Sequence, residues 1–418
     1  MLRTLTMHEI PRRGLIKGVA VALIVGTWCP SGVAAPRSAS AEGESPLQVT
    51  ALDPGSALLQ WSAVPGVARI EIRRDGRLLD DVATSGGSTL SYTDHLLWQS
   101  TTYAYDVIAI NPEGEVVSNQ TASVTTPAQT GAFPTLYDPA SFWNQSIPPD
   151  AAIDPDSAAM VSASLATYAG GANFVTSNQW GKPLAYANAL STTYPVGCIS
   201  YDCGTSVSFA IPRYAAPATG SDHHLVVLDP ATNNELDMWL ASYNADADSW
   251  SAGSRYVTAS NGWGAQCSLG QHCLGPVAAG FAAFGGIVRP EEIAQGHIDH
   301  ALFFASPYTR AGDIACPATH TDGRASDPAA IPEGARIQLD PSFDVDGQAW
   351  PTWEKVIAHA LQTYGAYLGD SGGSVAFSAE PNLDRGYDAW SLAGVPGPDP
   401  SLANLPWSSF RVLQLQLC

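Results

Sequence analysis

The chain has 418 residues, of which 45% are hydrophobic and only 14% are charged, and its formal net charge is −20. This length predicts two or three domains with substantial cores, and the abundance of Gly, Pro, Ser and Thr is typical of a β-rich protein with many turns. An acidic surface repels nucleic acid and anionic membranes at long range, so we expect neither as a partner.

Residues 1–41 have the pattern of an export signal peptide. Basic residues precede the apolar run Val19–Val25, and Ala39-Ser40-Ala41 is a small-residue cleavage site. The pair Arg12-Arg13 resembles a twin-arginine signal, so that route and ordinary secretion both stay open. No segment is apolar for long enough to span a bilayer. We therefore predict a secreted, extracellular monomer, with a charge of about −24 once a segment of net charge +4 is removed.

Seven cysteines become six when Cys29 leaves with the signal, and an even number in an exported chain predicts disulfides. Other pairings stay open, but spacing favours two short loops and one long-range bond: Cys198–Cys203, Cys267–Cys273 and Cys316–Cys418. His272 beside Cys273 raises zinc as an alternative, which the absence of a paired CxxC pattern disfavours.

Short alternating segments at even spacing over residues 46–127 predict a β-sandwich. This part of the chain resembles a fibronectin type III module. Trp61 stands where the core tryptophan of strand B is expected, Tyr103–Val107 is similar to strand F, and Asn111–Gly114 is similar to the turn after it. The resemblance implies a spacer or binding module, followed by a linker at residues 128–131.

Residues 132–418 form the predicted main domain, β-rich and the candidate catalytic part of the chain. Strand and turn patterns dominate it, with a short helix expected in Asp154–Tyr168 and an amphipathic helix in Pro351–Tyr364. We predict an all-β dominated fold class: a fibronectin type III-like β-sandwich, then a large β-sandwich or jelly-roll-like domain with one packed helix. A barrel or propeller stays open.

This main domain also resembles a family of secreted bacterial proteins of unassigned function. The resemblance implies no chemistry, and it depends on these segments: Phe142-Trp143-Asn144, Asp222-His223-His224, Asp237-Met238-Trp239, Asn261-Gly262-Trp263, His300-Ala301-Leu302, and Tyr364-Gly365 before Asp370.

The stretch 221–250 concentrates candidate chemistry in two predicted strands. Alternation places Asp222 and His224 on one face of the first strand, and Glu235, Asp237 and Trp239 on one face of the second. Two carboxylates about 5–10 Å apart can act as acid and nucleophile in glycoside hydrolysis, and a tryptophan can stack on a sugar ring. The alternative is a buried polar pair and a core tryptophan.

A second hypothesis is β-elimination of a uronic acid polymer, in which one cation neutralises the carboxylate while other groups move protons. The residues that could fill these roles are Lys182, Tyr186, His224 and Arg289. Trp180, Trp263 and Asp370 are further candidates for substrate binding. No cofactor is expected, although His224, Asp237 and His300 offer a divalent-metal alternative.

The segment Gly369–Gly373, GDSGG, matches the nucleophile signature of chymotrypsin-like proteases. Here it follows an amphipathic helix, and the flanking histidine motif of those enzymes is missing, so we predict no serine protease.

Together these patterns favour a secreted carbohydrate-active enzyme that cleaves an extracellular polysaccharide or cell-wall glycan as a glycoside hydrolase or a lyase. Asp222, His224, Glu235, Asp237 and His300 are the candidate catalytic residues. The alternative is a non-catalytic cell-surface or matrix glycan-binding protein. Catalysis requires His224, Asp237 and His300 to converge in one cleft, and scatter favours binding.

Overall fold

The computed structural model describes residues 46–83, 89–201, 203, 206–267 and 273–418. The predicted export signal at residues 1–41 and His272 lie outside the described residues. Within them, no helix combines the length and the apolar character that crossing a membrane requires.

The N-terminal module is a β-sandwich of seven antiparallel strands. Three strands form one sheet in the order β1-β2-β5 and four form the other in the order β4-β3-β6-β7, where the strands are β1 (Gln48–Asp53), β2 (Ser56–Ser62), β3 (Arg69–Arg74), β4 (Arg77–Ala83), β5 (Thr89–Asp94), β6 (Thr102–Ile110) and β7 (Val116–Thr125).

The two sheets share one core because alternate side chains of their strands point inward. Trp61 from β2 and Tyr105 from β6 are both buried there. Asp75 and Gly76 close the hairpin between β3 and β4 with φ values of 49° and 80°. Positive φ at both positions is what a two-residue turn of this kind requires, and it explains the Asp-Gly pair.

The rest of the chain contains sixteen further strands within the described residues. They are β8 (Asn173–Val175), β9 (Leu184–Tyr186), β10 (Thr193–Cys198), β11 (Val207–Ala210), β12 (Leu225–Asp229), β13 (Asn234–Trp239), β14 (Ser242–Asn244), β15 (Ser249–Ala252), β16 (Ser254–Ala259), β17 (Leu302–Ser306), β18 (Thr309–Ile314), β19 (Ile331–Glu333), β20 (Arg336–Leu339), β21 (Ala366–Ser371), β22 (Ala376–Ser378) and β23 (Phe410–Val412).

These strands form several small sheets, which confirms the all-β prediction. Two sheets have four strands, in the orders β11-β10-β15-β14 and β16-β13-β12-β9, and one has six, in the order β23-β20-β21-β17-β22-β8. Parallel pairs occur in each of them, for example β12 with β9 and β17 with β21. This mixed pairing distinguishes the domain from an antiparallel jelly roll.

Four α-helices lie among the described residues, where a short helix in Asp154–Tyr168 and one packed amphipathic helix were expected. They are α1 (Ser157–Ser164), α2 (Pro290–Gln295), α3 (Thr352–Thr363) and α4 (Ala389–Leu392). The amphipathic pattern predicted α3 within one residue at each end, because its apolar side chains pack on the core of the six-stranded sheet. Helices α2 and α4 are too short to show a helical period in sequence.

The N-terminal module and the main domain are held together, since Glu44–Cys418 forms a single compact unit. Arg77 of β4 donates hydrogen bonds to the carbonyl oxygens of Asp384 and Leu383. Ser191 of the main domain donates to the buried carboxylate of Asp80 at 2.7 Å. The module is therefore docked through buried polar contacts.

Candidate functional site

A pocket of about 350 Å³ opens where strands β13, β16 and β21 approach several loops. This volume lies within the range of small-ligand sites. The residues that line it are Tyr201, Asp222, His224, Trp239, Ser254, Tyr256, Leu274, Gly275, Pro276, Val277, Ala278, His320, Asp322, Asp370 and Ser371.

All three predicted disulfides form, and each braces a loop that contributes to this pocket. Tyr201 lies inside the loop closed by Cys198–Cys203, and residues 274–278 directly follow the Cys267–Cys273 bond. The Cys316–Cys418 bond holds the start of the loop that carries His320 and Asp322. Crosslinks of this kind reduce the conformational freedom of the loops they close.

Asp222 and His224 both line the pocket, although not by strand alternation as predicted. Strand β12 begins only at Leu225, and His223 has a left-handed backbone with φ 42°. The carbonyl oxygens of residues 222 and 223 accept hydrogen bonds from Leu240 N at 2.8 Å and Ala241 N at 3.0 Å. A turn therefore positions this pair, and that turn sets His223 apart from its two neighbours.

His224 is buried, and its Nδ1 atom has no hydrogen-bond partner among the described residues. Burial, and then the nearby charge of Lys182, lower the pKa of the His224 imidazole to about 3. The ring is therefore neutral at ordinary pH, with one nitrogen that can accept a hydrogen bond.

Lys182 lies behind the pocket wall, with only 3% of its surface exposed. Its Nζ atom is 3.8 Å from the centre of the Phe303 ring and makes no hydrogen bond to any described residue. Burial lowers the pKa of Lys182 to about 8, although the negative charge of Asp370 opposes that shift. The lysine therefore supplies positive potential from within the protein rather than a contact in the pocket.

Asp322, Glu333 and Asp370 form a carboxylate cluster at the inner wall. One oxygen of each lies within 4.8 Å of the others. Burial and then the charge of Asp370 raise the pKa of Glu333 to about 10, and burial raises the pKa of Asp370 to about 7 against the effect of Lys182. Three carboxylates this close could hold a metal ion.

A β-bulge places Asp370 in this cluster. Phe304 pairs with Leu368 but Ala305 pairs with Asp370, so Gly369 is the extra residue. A side chain at Gly369 would lie 2.1 Å from the Phe303 ring, which explains the glycine. The GDSGG segment thus forms the end of strand β21 and its bulge.

The carboxylates of Glu235 and Asp237 are enclosed in the protein, with no exposed surface. Tyr137 Oη donates to Glu235 at 2.8 Å and Phe284 N donates at 3.1 Å. Burial and then the charge of Glu235 raise the pKa of Asp237 well above its usual value. Neither carboxylate lines the pocket, so the roles as acid and nucleophile stay a prediction that this burial disfavours. Only Trp239 from that strand face emerges in the pocket, 5.6 Å from the Tyr201 ring.

His300 lies outside the pocket and is paired within the core. Its Nε2 atom is 3.0 Å from Glu292 Oε1, and its Nδ1 atom is 2.9 Å from the Ala301 carbonyl oxygen. Burial opposes a charge on this ring, but the Glu292 carboxylate raises the pKa of His300 above its usual value. Strand β17 begins only at Leu302, so His300 lies just before it.

The four residues predicted for β-elimination divide between two places. His224 lines the pocket and Lys182 lies behind it, whereas Tyr186 and Arg289 line a different cavity beside the N-terminal module. Tyr186 stacks on His95 with ring centres 4.2 Å apart, and Arg289 pairs with Glu380 at 2.9 Å. Those four groups cannot act on one sugar unit.

The remaining predicted aromatic residues also lie elsewhere. Trp180 is 42% exposed and Trp263 is 37% exposed, and neither lines the pocket. Trp263 is 5.4 Å from the Phe142 ring at the edge of an aromatic cluster.

His224, Asp237 and His300 therefore do not converge in one cleft, and by the criterion given above this scatter favours glycan binding over catalysis by this set. The pocket instead joins Asp222, His224, Trp239 and Asp370 with residues that sequence reasoning did not select. Those residues include Tyr201, Tyr256, His320, Asp322 and Glu333. The cysteines adjacent to three of the contributing loops are the sequence signal that could have identified them.

Comparison with solved structures finds fibronectin type III domains as neighbours over 20–26% of this chain. One is the domain of human collagen alpha-1(XX), which is 22% identical and covers 23% of this chain and 98% of that chain, with a TM-score of 0.19. Another is the domain of human contactin 1, which is 20% identical and covers 26% of this chain and 100% of that chain, with a TM-score of 0.19. A fibronectin(III)-like module of Clostridium thermocellum CbhA is 13% identical and covers 20% of this chain and 99% of that chain, with a TM-score of 0.15.

No protein-family model and no curated protein matches the sequence. The resemblance to a family of secreted bacterial proteins therefore stays a prediction.

Proposed function

We propose that this protein is a secreted enzyme that hydrolyses an extracellular polysaccharide, with His224 and Asp222 as proton-transfer groups. One observation carries the proposal: a neutral histidine with an unpartnered nitrogen lies in the same pocket as an aromatic pair, Tyr201 and Trp239. An unpartnered buried polar atom lowers the stability of the fold, so such an atom in a native protein indicates a functional role. Aromatic rings that line a pocket can bind sugars by stacking.

His224 takes the proton of the attacking water in this proposal, through the ring nitrogen that has no partner among the described residues. Asp222 lines the same pocket and, in its protonated form, returns a proton to the leaving oxygen. Trp239 and Tyr201 hold the sugar ring beside them.

The charges in the pocket favour hydrolysis of a neutral glycan over β-elimination of a uronic acid polymer. Asp222, Asp322 and Asp370 line it, whereas Lys182 is enclosed behind the wall and Arg289 lies in another cavity. Carboxylates repel an anionic chain, and no arginine or lysine side chain in the described lining neutralises a uronate.

The test is product release from a panel of neutral and acidic polysaccharides, with reducing ends and absorbance near 235 nm recorded together. We expect reducing ends without unsaturated product from a neutral glycan. His224→Gln should reduce the rate by about 100-fold or more, the usual contribution of a general base. The matched control is His223→Asn, which changes the neighbouring histidine outside the pocket and should retain activity within about twofold.

Other results would overturn parts of the proposal. Unsaturated products that disappear in His224→Gln would establish a lyase. Silence across the panel from a folded protein would favour the alternative, a non-catalytic glycan-binding protein. Trp239→Ala tests that alternative. In a non-catalytic protein this substitution should abolish glycan binding, although there is no catalytic rate to lose.

A further inference from the structure

The carboxylate cluster joins three separate parts of the chain. Asp322 belongs to the loop after Cys316, Glu333 ends strand β19, and Asp370 follows the bulge in β21. One oxygen from each lies within 4.8 Å of the other two. Carboxylates at this separation repel one another strongly where water is excluded, so the arrangement requires either bound protons or a cation.

Glu333 is the second and independent observation. Its side chain has no exposed surface, and neither of its carboxylate oxygens has a hydrogen-bond partner among the described residues. Buried carboxylates in proteins are normally paired or bound to a metal, because burying an ionised carboxylate without a partner is strongly unfavourable. An unpartnered buried carboxylate beside two others therefore points to a bound cation.

Lys182 does not supply this ligand. Its Nζ atom makes no hydrogen bond to a described residue and lies over the Phe303 ring instead. The carboxylates whose charge acts on it are those of Asp370, Asp237, Asp222 and Glu235, so neither Asp322 nor Glu333 is among them. A divalent cation bound by the cluster would instead contact all three of its carboxylates directly.

We propose that Asp322, Glu333 and Asp370 bind a divalent metal ion, and that calcium is the ion whose coordination preference fits. Hard oxygen ligands select calcium or magnesium. Calcium accepts several protein carboxylates in a flexible geometry, whereas magnesium demands a near-ideal octahedron and usually keeps several of its waters. The oxygens here lie within 4.8 Å of one another. Asp322 is exposed, so water or a ligand hydroxyl can complete the coordination sphere from the open side.

The inference goes beyond the proposed function, because an ion can bind here whether or not the pocket catalyses a reaction. The test is calorimetric titration of calcium chloride into the chelator-treated chain from Glu42 onward, without polysaccharide. We expect one ion per chain, with a dissociation constant of roughly 10⁻⁴ to 10⁻³ M, as in other extracellular calcium modules.

Glu333→Gln should weaken calcium binding by at least tenfold. Glu354→Gln is the matched control, since Glu354 is also buried and also has one unpartnered oxygen, but it lies on helix α3 outside the pocket. Should Glu333→Gln not fold, Asp322→Asn changes an exposed ligand and is expected to weaken binding at least threefold.

Absence of binding at 10 mM calcium, about ten times the weakest expected constant, would overturn the inference. Unchanged affinity in both Glu333→Gln and Asp322→Asn would overturn it as well. Magnesium binding more tightly than calcium would overturn the assignment to calcium. An inactive protein that binds calcium would leave the inference intact while removing the proposed function, and an active protein that binds none would do the reverse.

Discussion

Two groups of buried charge in this protein differ in how completely they are satisfied. One is the interface network, which lies where the N-terminal module meets the main domain and is formed by Arg74, Arg289, Arg385, Asp94, Glu291 and Glu380. The other surrounds the pocket and contains the carboxylate cluster, Lys182 and His224.

In the interface network, three guanidinium groups face three carboxylates and their bonds are made. Arg385 has no exposed surface, and its guanidinium donates to both oxygens of Glu380 at 2.8 and 3.0 Å and to both oxygens of Glu291 at 2.6 and 3.0 Å. Arg74 bonds Asp94 and also donates to the carbonyl oxygen of Arg385, which links the two domains. Bidentate pairs of this kind position groups firmly.

Around the pocket the opposite holds. Lys182 Nζ, His224 Nδ1 and both carboxylate oxygens of Glu333 lack partners among the described residues, and negative charges outnumber positive ones. The same chain therefore satisfies buried charge fully at one place and leaves it unsatisfied at another. This difference favours a structural role for the interface network and a ligand-binding role for the pocket.

The largest decrease in the free energy of unfolding is expected when Arg385 is replaced. Arg385→Met leaves Glu291 without its bidentate partner and leaves Glu380 with Arg289 alone, and we expect the free energy of unfolding to fall by about 3 to 5 kcal/mol. Urea unfolding followed by tryptophan fluorescence measures it. A loss below about 1 kcal/mol would mean that the network does not hold the domains together.

A smaller partnered pair, His300 with Glu292, makes a pH-dependent prediction. Because the pKa of His300 is raised in the folded state, its charge stabilises the protein fully below the unfolded value of 6.5, and this stability is lost as pH rises through the folded pKa. His300→Gln should therefore cost about 1.5 to 3 kcal/mol at pH 5.5 and clearly less at pH 9. Equal losses at both pH values would contradict the charged pair.

Removing a carboxylate from the pocket should change the free energy of unfolding in the opposite direction. Glu333→Gln takes a carboxylate out of an unpartnered cluster, so in chelator-treated protein we expect the free energy of unfolding to rise by about 1 kcal/mol. The same substitution should reduce the stabilisation that added calcium confers on the parent protein. Destabilisation without metal would show that Glu333 has a structural partner.

An exposed ion pair should have the smallest effect on the free energy of unfolding. Arg69 pairs with Glu71 at 2.7 Å and with Asp81 at 3.1 Å, but its side chain is 44% exposed. Arg69→Ala should change the free energy of unfolding by no more than about 1 kcal/mol, and less in high salt. A larger loss of stability would mean that burial does not explain the difference between this exposed ion pair and the interface network.

Sequence patterns predicted the parts of the structure that depend on local periodicity. They identified the β-sandwich around Trp61, the helix over Thr352–Thr363 and the three disulfides. They also selected His224 as a candidate, which lines the pocket, although through a turn and not through a strand. Strand alternation could not show that the face carrying Asp237 is covered by a second layer, because periodicity describes faces but not what packs on them.

By itself, the sequence determined the β-rich class, the sandwich module and the crosslinks, since alternation, turn chemistry and cysteine count are local or compositional properties. Only the tertiary structure decided which polar residues meet. Asp322, Glu333 and Asp370 are brought within 4.8 Å by a disulfide-braced loop, a strand end and a bulge. Convergence of segments distant along the chain depends on packing between layers, which leaves no periodic trace in any one of them.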